Sequence, residues 1–121
     1  MSVTVSLVDD NLEEILRASE EQIHAALEEC AVAGEAYAVA ETNRLIYSRP
    51  PSPSGYVRTG NLRTSISHAV QGDEAIIGTN IEYAPYVHFG ARGTPPKPFL
   101  KNAITRHLPY YKQVIKNHLE G

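Results

Sequence analysis

The chain reads as an α+β fold: a small antiparallel sheet of about three strands packed on a long N-terminal helix, with a C-terminal helix beside it. Three observations predict this. Val3, Val5 and Leu7 alternate with Thr4 and Ser6, and two further alternating runs follow near residues 65–70 and 75–81. An apolar series from Leu12 to Ala40 keeps a helical period, and a second one runs from Leu100 to Leu119. At 121 residues the chain suits one domain, 1–121, because two halves would each be too small to bury a core.

Taken in order, residues 2–8 form a half-buried strand. Asp10 and Glu13 have the spacing of a capping-box-like helix start and favour the positive end of the helix dipole. The helical period then meets no breaker until Arg49-Pro50, so a helix over 11–47 is expected, about 55 Å long at 1.5 Å per residue. A domain of this length has a diameter of roughly 35 Å. Such a helix either bends or breaks near Gly34 or packs on another subunit. The small side chains from Ala31 to Ala40, which let a neighbouring backbone come close, favour self-association.

Residues 48–55, with Pro50, Pro51 and Pro53, can support neither a helix interior nor a sheet ladder, and form a linker or an arm that orders on contact. Thr59 caps a short helical turn over 60–63. The next two strands form a hairpin around Gln71-Gly72-Asp73-Glu74, with Ile66 and Val70 on one face and Ile77, Thr79 and Ile81 on a face of the second. In the final helix Pro109 cannot donate to the carbonyl of Thr105, so a kink or restart is expected there.

Composition bounds the function. With 42% hydrophobic and 21% charged residues this is an ordinary globular chain, neither disordered nor fibrous. It holds no apolar run of membrane-spanning length and no signal-peptide pattern, which points to a cytoplasmic origin. The lone Cys30 excludes an internal disulfide and a thiolate zinc cluster, and should pack as a small hydrophobe. Net charge is −3 but split: residues 1–41 hold ten carboxylates and one cation, and residues 42–121 hold ten cations and four carboxylates. Either the two sets neutralise each other within one subunit, or the acidic face of one copy meets the basic face of the next.

Catalysis finds little support. His24, His68, His88, His107 and His118 show no metal-ligand spacing, no serine has a nucleophile-elbow context, and no Gly-rich run cradles a phosphate or dinucleotide. A His68/His88 acid-base pair with Arg92 or Lys97 could cleave RNA, but these read more simply as strand and surface histidines. No catalytic residue, cofactor or metal is expected. Nucleic-acid binding is the alternative, since Arg58, Arg63, Arg92, Lys97 and Lys101 could cluster beside Tyr83, Tyr86 and Phe89. The net negative charge weighs against it.

The densest stretch is Tyr83-Ala84-Pro85-Tyr86-Val87-His88-Phe89-Gly90, running on to Pro95-Pro96-Lys97-Pro98-Phe99-Leu100. Pro85 suits the first turn of a helix and Gly90 its end, so one helical turn should present Tyr83, Tyr86 and Phe89. Pro98 then opens the last helix at Phe99. Phe89 and Phe99 should be mainly core, with Tyr83 and Tyr86 the better interface residues.

Together with Tyr56-Val57-Arg58-Thr59-Gly60-Asn61-Leu62-Arg63, this order of motifs resembles the head-tail joining proteins of long-tailed bacteriophages and prophages, also called neck, tail-completion or minor tail components. The resemblance covers roughly residues 56–104. The family position after Tyr86-Val87 is often acidic; here it is His88. The resemblance implies a virion protein at the head-tail junction, made in the bacterial host cytoplasm and forming a homo-oligomeric ring, sixfold if it follows a tail's symmetry. Its partners would be connector or stopper and tail proteins, with at most loose, nonspecific DNA contact and no membrane. Arg58, Arg63, Tyr83, Tyr86, Arg92 and Lys97 would form the interface: arginines and lysine for directional ion pairs, tyrosines as anchors.

Overall fold

Val3 and Val5 point inward from strand β1, Ser2–Ser6, while Ser2, Thr4 and Ser6 face solvent. That alternation is what pairs the strand into a sheet with one buried face. The computed structural model describes residues 1–6, 17–47, 61–90 and 95–120. Leu7 and Val8, the proposed helix start at Asp10 and Glu13, the proline loop and Thr59 lie outside these.

The single helix expected over 11–47 does not form as such. Ser19 is extended, at φ −78 and ψ 160, and caps a new helix, α1, Glu20–Thr42. The cap is reciprocal: the Ser19 hydroxyl accepts from the Gln22 N–H at 3.1 Å, and the Gln22 side chain accepts from the Ser19 N–H at 2.8 Å. Glu20 and Glu21 add negative charge where the helix dipole favours it. At the other end Thr42 returns its hydroxyl to the Ala38 carbonyl, and the chain widens into a π-helical turn, Asn43–Tyr47.

With 23 residues, α1 spans about 35 Å. It is no longer than the body expected around it, so its length gives no reason for a second subunit. Nor does it break at Gly34. Gly34 lies inside the helix with Ala26, Leu27, Cys30, Ala31 and Ala38 on the buried face. The small side chains serve the chain's own packing: a Cβ on Gly34 would stand 2.6 Å from Ile77 Cδ1 of the sheet. Cys30 fills this face as a small hydrophobe, its thiol pushed up to about 11 by burial and the charge of Glu29.

After helix α2, Asn61–Ser65, strands β2, Ser67–Gln71, and β3, Glu74–Gly78, form the expected hairpin with shorter bounds: Ile66 precedes β2, and Thr79 and Ile81 follow β3, so they are not strand-face residues. Gly72 takes φ 59 at its tight turn, a conformation that suits glycine. The sheet is antiparallel in the order β1-β3-β2, with Val3 opposite Ile77 and Val5 opposite Ala75, and His68 and Val70 opposite the same two residues. The inner face therefore carries Val3, Val5, Ala75, Ile77, Val70 and, at its edge, His68, and α1 lies across it. The outer face is small and largely polar.

A short helix α3, Ala84–Phe89, precedes α4, Phe99–Thr105, and α5, Leu108–Glu120. The restart expected at Pro109 is observed: Arg106 and His107 form a turn, and Pro109 falls in the first turn of α5, where a missing N–H costs nothing. Here Tyr37 of α1 stacks on His107 at 3.6 Å and meets Tyr110 and Tyr111 edge-on. One core cluster joins Leu62, Ile66, Ile77, Val87, Phe99 and Leu100; the other joins Val5, Leu27, Cys30, Tyr111, Ile115 and Leu119. Tyr37 and Ile104 border both.

Gly34→Ala sets a gain in helix propensity of about 1 kcal/mol against overpacking of about 1–3 kcal/mol. Because Ile77 is fully buried, the clash should win, and urea denaturation should show a net loss of stability. A more stable variant would show that the sheet yields instead.

Candidate functional site

The aromatic stretch folds into a braced corner. Tyr83 precedes α3 and its carbonyl accepts from the N–H groups of Tyr86 and Val87; Pro85 sits in the first turn, and Gly90 ends the helix at φ 84. Ala84, Val87 and His88 point into the core, which leaves the opposite face to Tyr86 and Phe89. The chain then returns along α3: the Lys97 N–H donates to the Val87 carbonyl at 3.0 Å. Pro98 caps α4, and Phe99 and Leu100 are fully buried beneath it.

His88 locks the two helices. Its Nε2 accepts from the backbone N–H of Lys101 at 3.2 Å, and its ring meets Phe89 and Phe99 edge-on at 4.6 and 5.4 Å. Accepting at Nε2 places the neutral ring's proton on Nδ1, which is buried with no partner among the described residues. Burial first, and the Lys101 charge second, lower the pKa of this ring below the ordinary value of 6.5, so it stays neutral.

The six expected interface residues divide. Tyr86 is 66% exposed at the corner. Tyr83 is half-buried and packs against the core, and Lys97 is half-buried beside α3. Arg63 instead turns to the end of α1, donating to the Asn43 side chain at 2.8 Å. Arg58 and Arg92 lie outside the described residues. The expectation for Phe99 holds, but Phe89 is not core. It is 68% exposed, because Ala84, Val87 and His88 already occupy the inward face of a single-turn helix. Tyr86 and Phe89, three residues apart, are thus both exposed on one short helix, to which the backbones of Lys97 and the exposed Lys101 are bonded at Val87 and His88.

Two charged groupings escape a reading by spacing alone. Glu41, 5% exposed, receives Arg44 at 2.6 Å on one oxygen and Arg106 at 2.6 Å on the other, tying α1 to the turn before α5. The Glu41/Arg44 spacing is visible in the sequence; Arg106, 65 residues on, is not. His68 sits between Glu28 and Glu35 of α1 at 3.3 Å from each, and His118 reaches Glu29 at 3.3 Å. The two ring nitrogens of His68 face different carboxylates, so these three side chains do not converge on a metal, and no metal-binding group occurs among the described residues. Nor do His68 and His88 act together: one faces α1 carboxylates and the other is enclosed between α3 and α4. Among the described residues no helix is long and apolar enough to cross a membrane.

The family described as "Bacteriophage HK97-gp10, putative tail-component" matches residues 8–90. No curated protein and no solved structure matches the chain.

The His88 geometry has a signed consequence. Its folded pKa is depressed, so the unfolded chain binds the extra proton first, and stability present above about pH 6.5 is lost as the pH falls through the lowered value. The melting temperature should drop more steeply from about pH 7 to about pH 5 in the parent than in His88→Gln, which cannot titrate there. Equal slopes would show that His88 is accessible to protons without unfolding.

Proposed function

This chain belongs to the HK97-gp10-like family of bacteriophage tail components, and from that premise we propose that it is a structural virion protein without catalytic activity. It joins the phage head, through the connector, to the tail, or completes the tail end, as one domain repeated in an oligomeric ring. It is made in the bacterial host cytoplasm and resides at the head-tail junction. Connector or stopper and tail proteins are its neighbours, and passing DNA meets it loosely at most.

The observation that carries this reading is the exposed Tyr86/Phe89 pair on an α3 whose other face is built into the core. Two large aromatics held at a fixed angle by a proline-opened turn form an anchor that loses little entropy on docking. Tyr83 and Lys97 belong to the same corner, while Arg58 and Arg92 supply directional ion pairs to neighbours; Arg63, already bonded to Asn43 at the end of α1, is the weaker interface residue. Self-association here draws its support from the exposed aromatics and the split charge, no longer from helix length. A nucleic-acid-binding role is the second reading: Lys97 and Lys101, bonded to the helix that carries two exposed rings, suit single-stranded nucleic acid. The net charge of −3 makes it the weaker one.

Tyr86→Ala should leave the fold and melting temperature unchanged, because the ring is mostly in solvent, yet yield unjoined heads and tails by electron microscopy of lysates. Normal particle yield and infectivity would remove Tyr86 from the joint.

A further inference from the structure

The aromatic corner and the outer side of α1 are surfaces of opposite charge that no described contact within the chain brings together. Among the described residues of the corner, 83–90 and 95–105, the charged side chains are Lys97 and Lys101, with no carboxylate after the exposed Glu82. α1 contains six glutamates and neither lysine nor arginine. Internal neutralisation is partial: Glu41 meets two arginines, Glu28, Glu29 and Glu35 meet histidines, and no lysine forms an ion pair among the described residues. Each surface also has an apolar centre. On α1 it is Val32, 51% exposed and flanked by exposed Ala25 and Ala36, with exposed Glu29 one turn from Val32 and exposed Glu21 one turn from Ala25; Glu28 and Glu35, also a turn from Val32, lean toward His68 of β2.

We propose that these are the two halves of a head-to-tail contact: the Tyr86/Phe89 corner of one copy, with Lys97 and Lys101, seats on the outer face of α1 of the next copy around Val32. The proposal rests on the ring reading above and names the surfaces that close it. Because the two patches differ, the contact is heterologous and propagates in one direction, closing as a ring when the rotation allows. The rings and Val32 exclude water at the centre, and the lysine stems lie along them with their ammonium groups reaching the glutamates. Charge sets direction and partner choice, while the aromatics supply most of the affinity. Single-stranded nucleic acid would use the corner alone and be indifferent to α1.

The experiment is sedimentation velocity on the full chain and two charge-reversed variants, Lys97→Glu/Lys101→Glu and Glu21→Lys/Glu29→Lys. The parent should assemble, and less so as salt rises. Each variant alone should remain monomeric, with like charges facing. An equimolar mixture should regain the parent mass, since each reversed surface then meets its opposite, and a misfolded variant could not produce this. Phe89→Ser, unchanged in charge, should weaken assembly without rescue by mixing. If either charge-reversed variant assembles alone, or the mixture stays monomeric, the pairing is wrong while the ring reading stands. A parent that stays monomeric to its solubility limit overturns both. A parent monomer that shifts a single-stranded oligonucleotide, with the shift lost only in the lysine variant, assigns the corner to nucleic acid instead.

Discussion

The close approach of Gly34 to Ile77 governs how this chain is put together. Only a residue without a side chain admits the sheet so near the axis of α1, and with Ala31 and Ala38 it lets one helix lie on the sheet while sharing its flank with α4 and α5. A helix face rich in small residues invites close packing with any backbone. In this protein Ala26, Ala31, Gly34 and Ala38 use that capacity inside the chain, so what α1 can offer a neighbour is its outer side, where Val32, Ala25 and Ala36 lie among exposed glutamates. The buried Glu41, held by Arg44 and Arg106, fixes the far end of the same helix to the turn before α5.

The aromatic corner depends on that scaffold. α3 is too short to be stable alone and persists because Ala84 and Val87 join the core and His88 accepts from the start of α4. Among the described residues the buried Nδ1 of His88 has no partner; a donor left so costs about 1–3 kcal/mol, which the surrounding packing must offset. Stability is spent at this position to keep the turn closed. A carboxylate at this position would be costlier still to enclose, since it would carry charge into the space between Phe89 and Phe99. The outcome is a display of Tyr86 and Phe89 on a helix whose other face, Ala84, Val87 and His88, is built into the body.

Much of this was legible from residue chemistry. The alternation of Val3 and Val5, the turn at Gly72, the short helix between Pro85 and Gly90, the start at Pro98 and the restart at Pro109 each follow from one residue's dihedral limits or from a period of two. The break at Ser19 was equally open to reading, since Ser19 and Gln22 have capping-box spacing. It is hidden by Ile15, Leu16 and Ile23, whose apolar period runs straight across it. Phe89 misleads because residue type says core while a one-turn helix has room for only one inward face. The Glu41–Arg106 pair and the two glutamates around His68 could not be foreseen, because the fold alone brings together positions that far apart.

Whether this is a piece of the tail joint is tested most directly by quantitative peptide mass spectrometry of purified particles, and of heads and tails separated from them. The protein should be present in intact particles at a fixed number of copies consistent with one ring, and in the fraction that retains the joint. Its absence from mature particles, with abundant free protein in the lysate, would contradict the account.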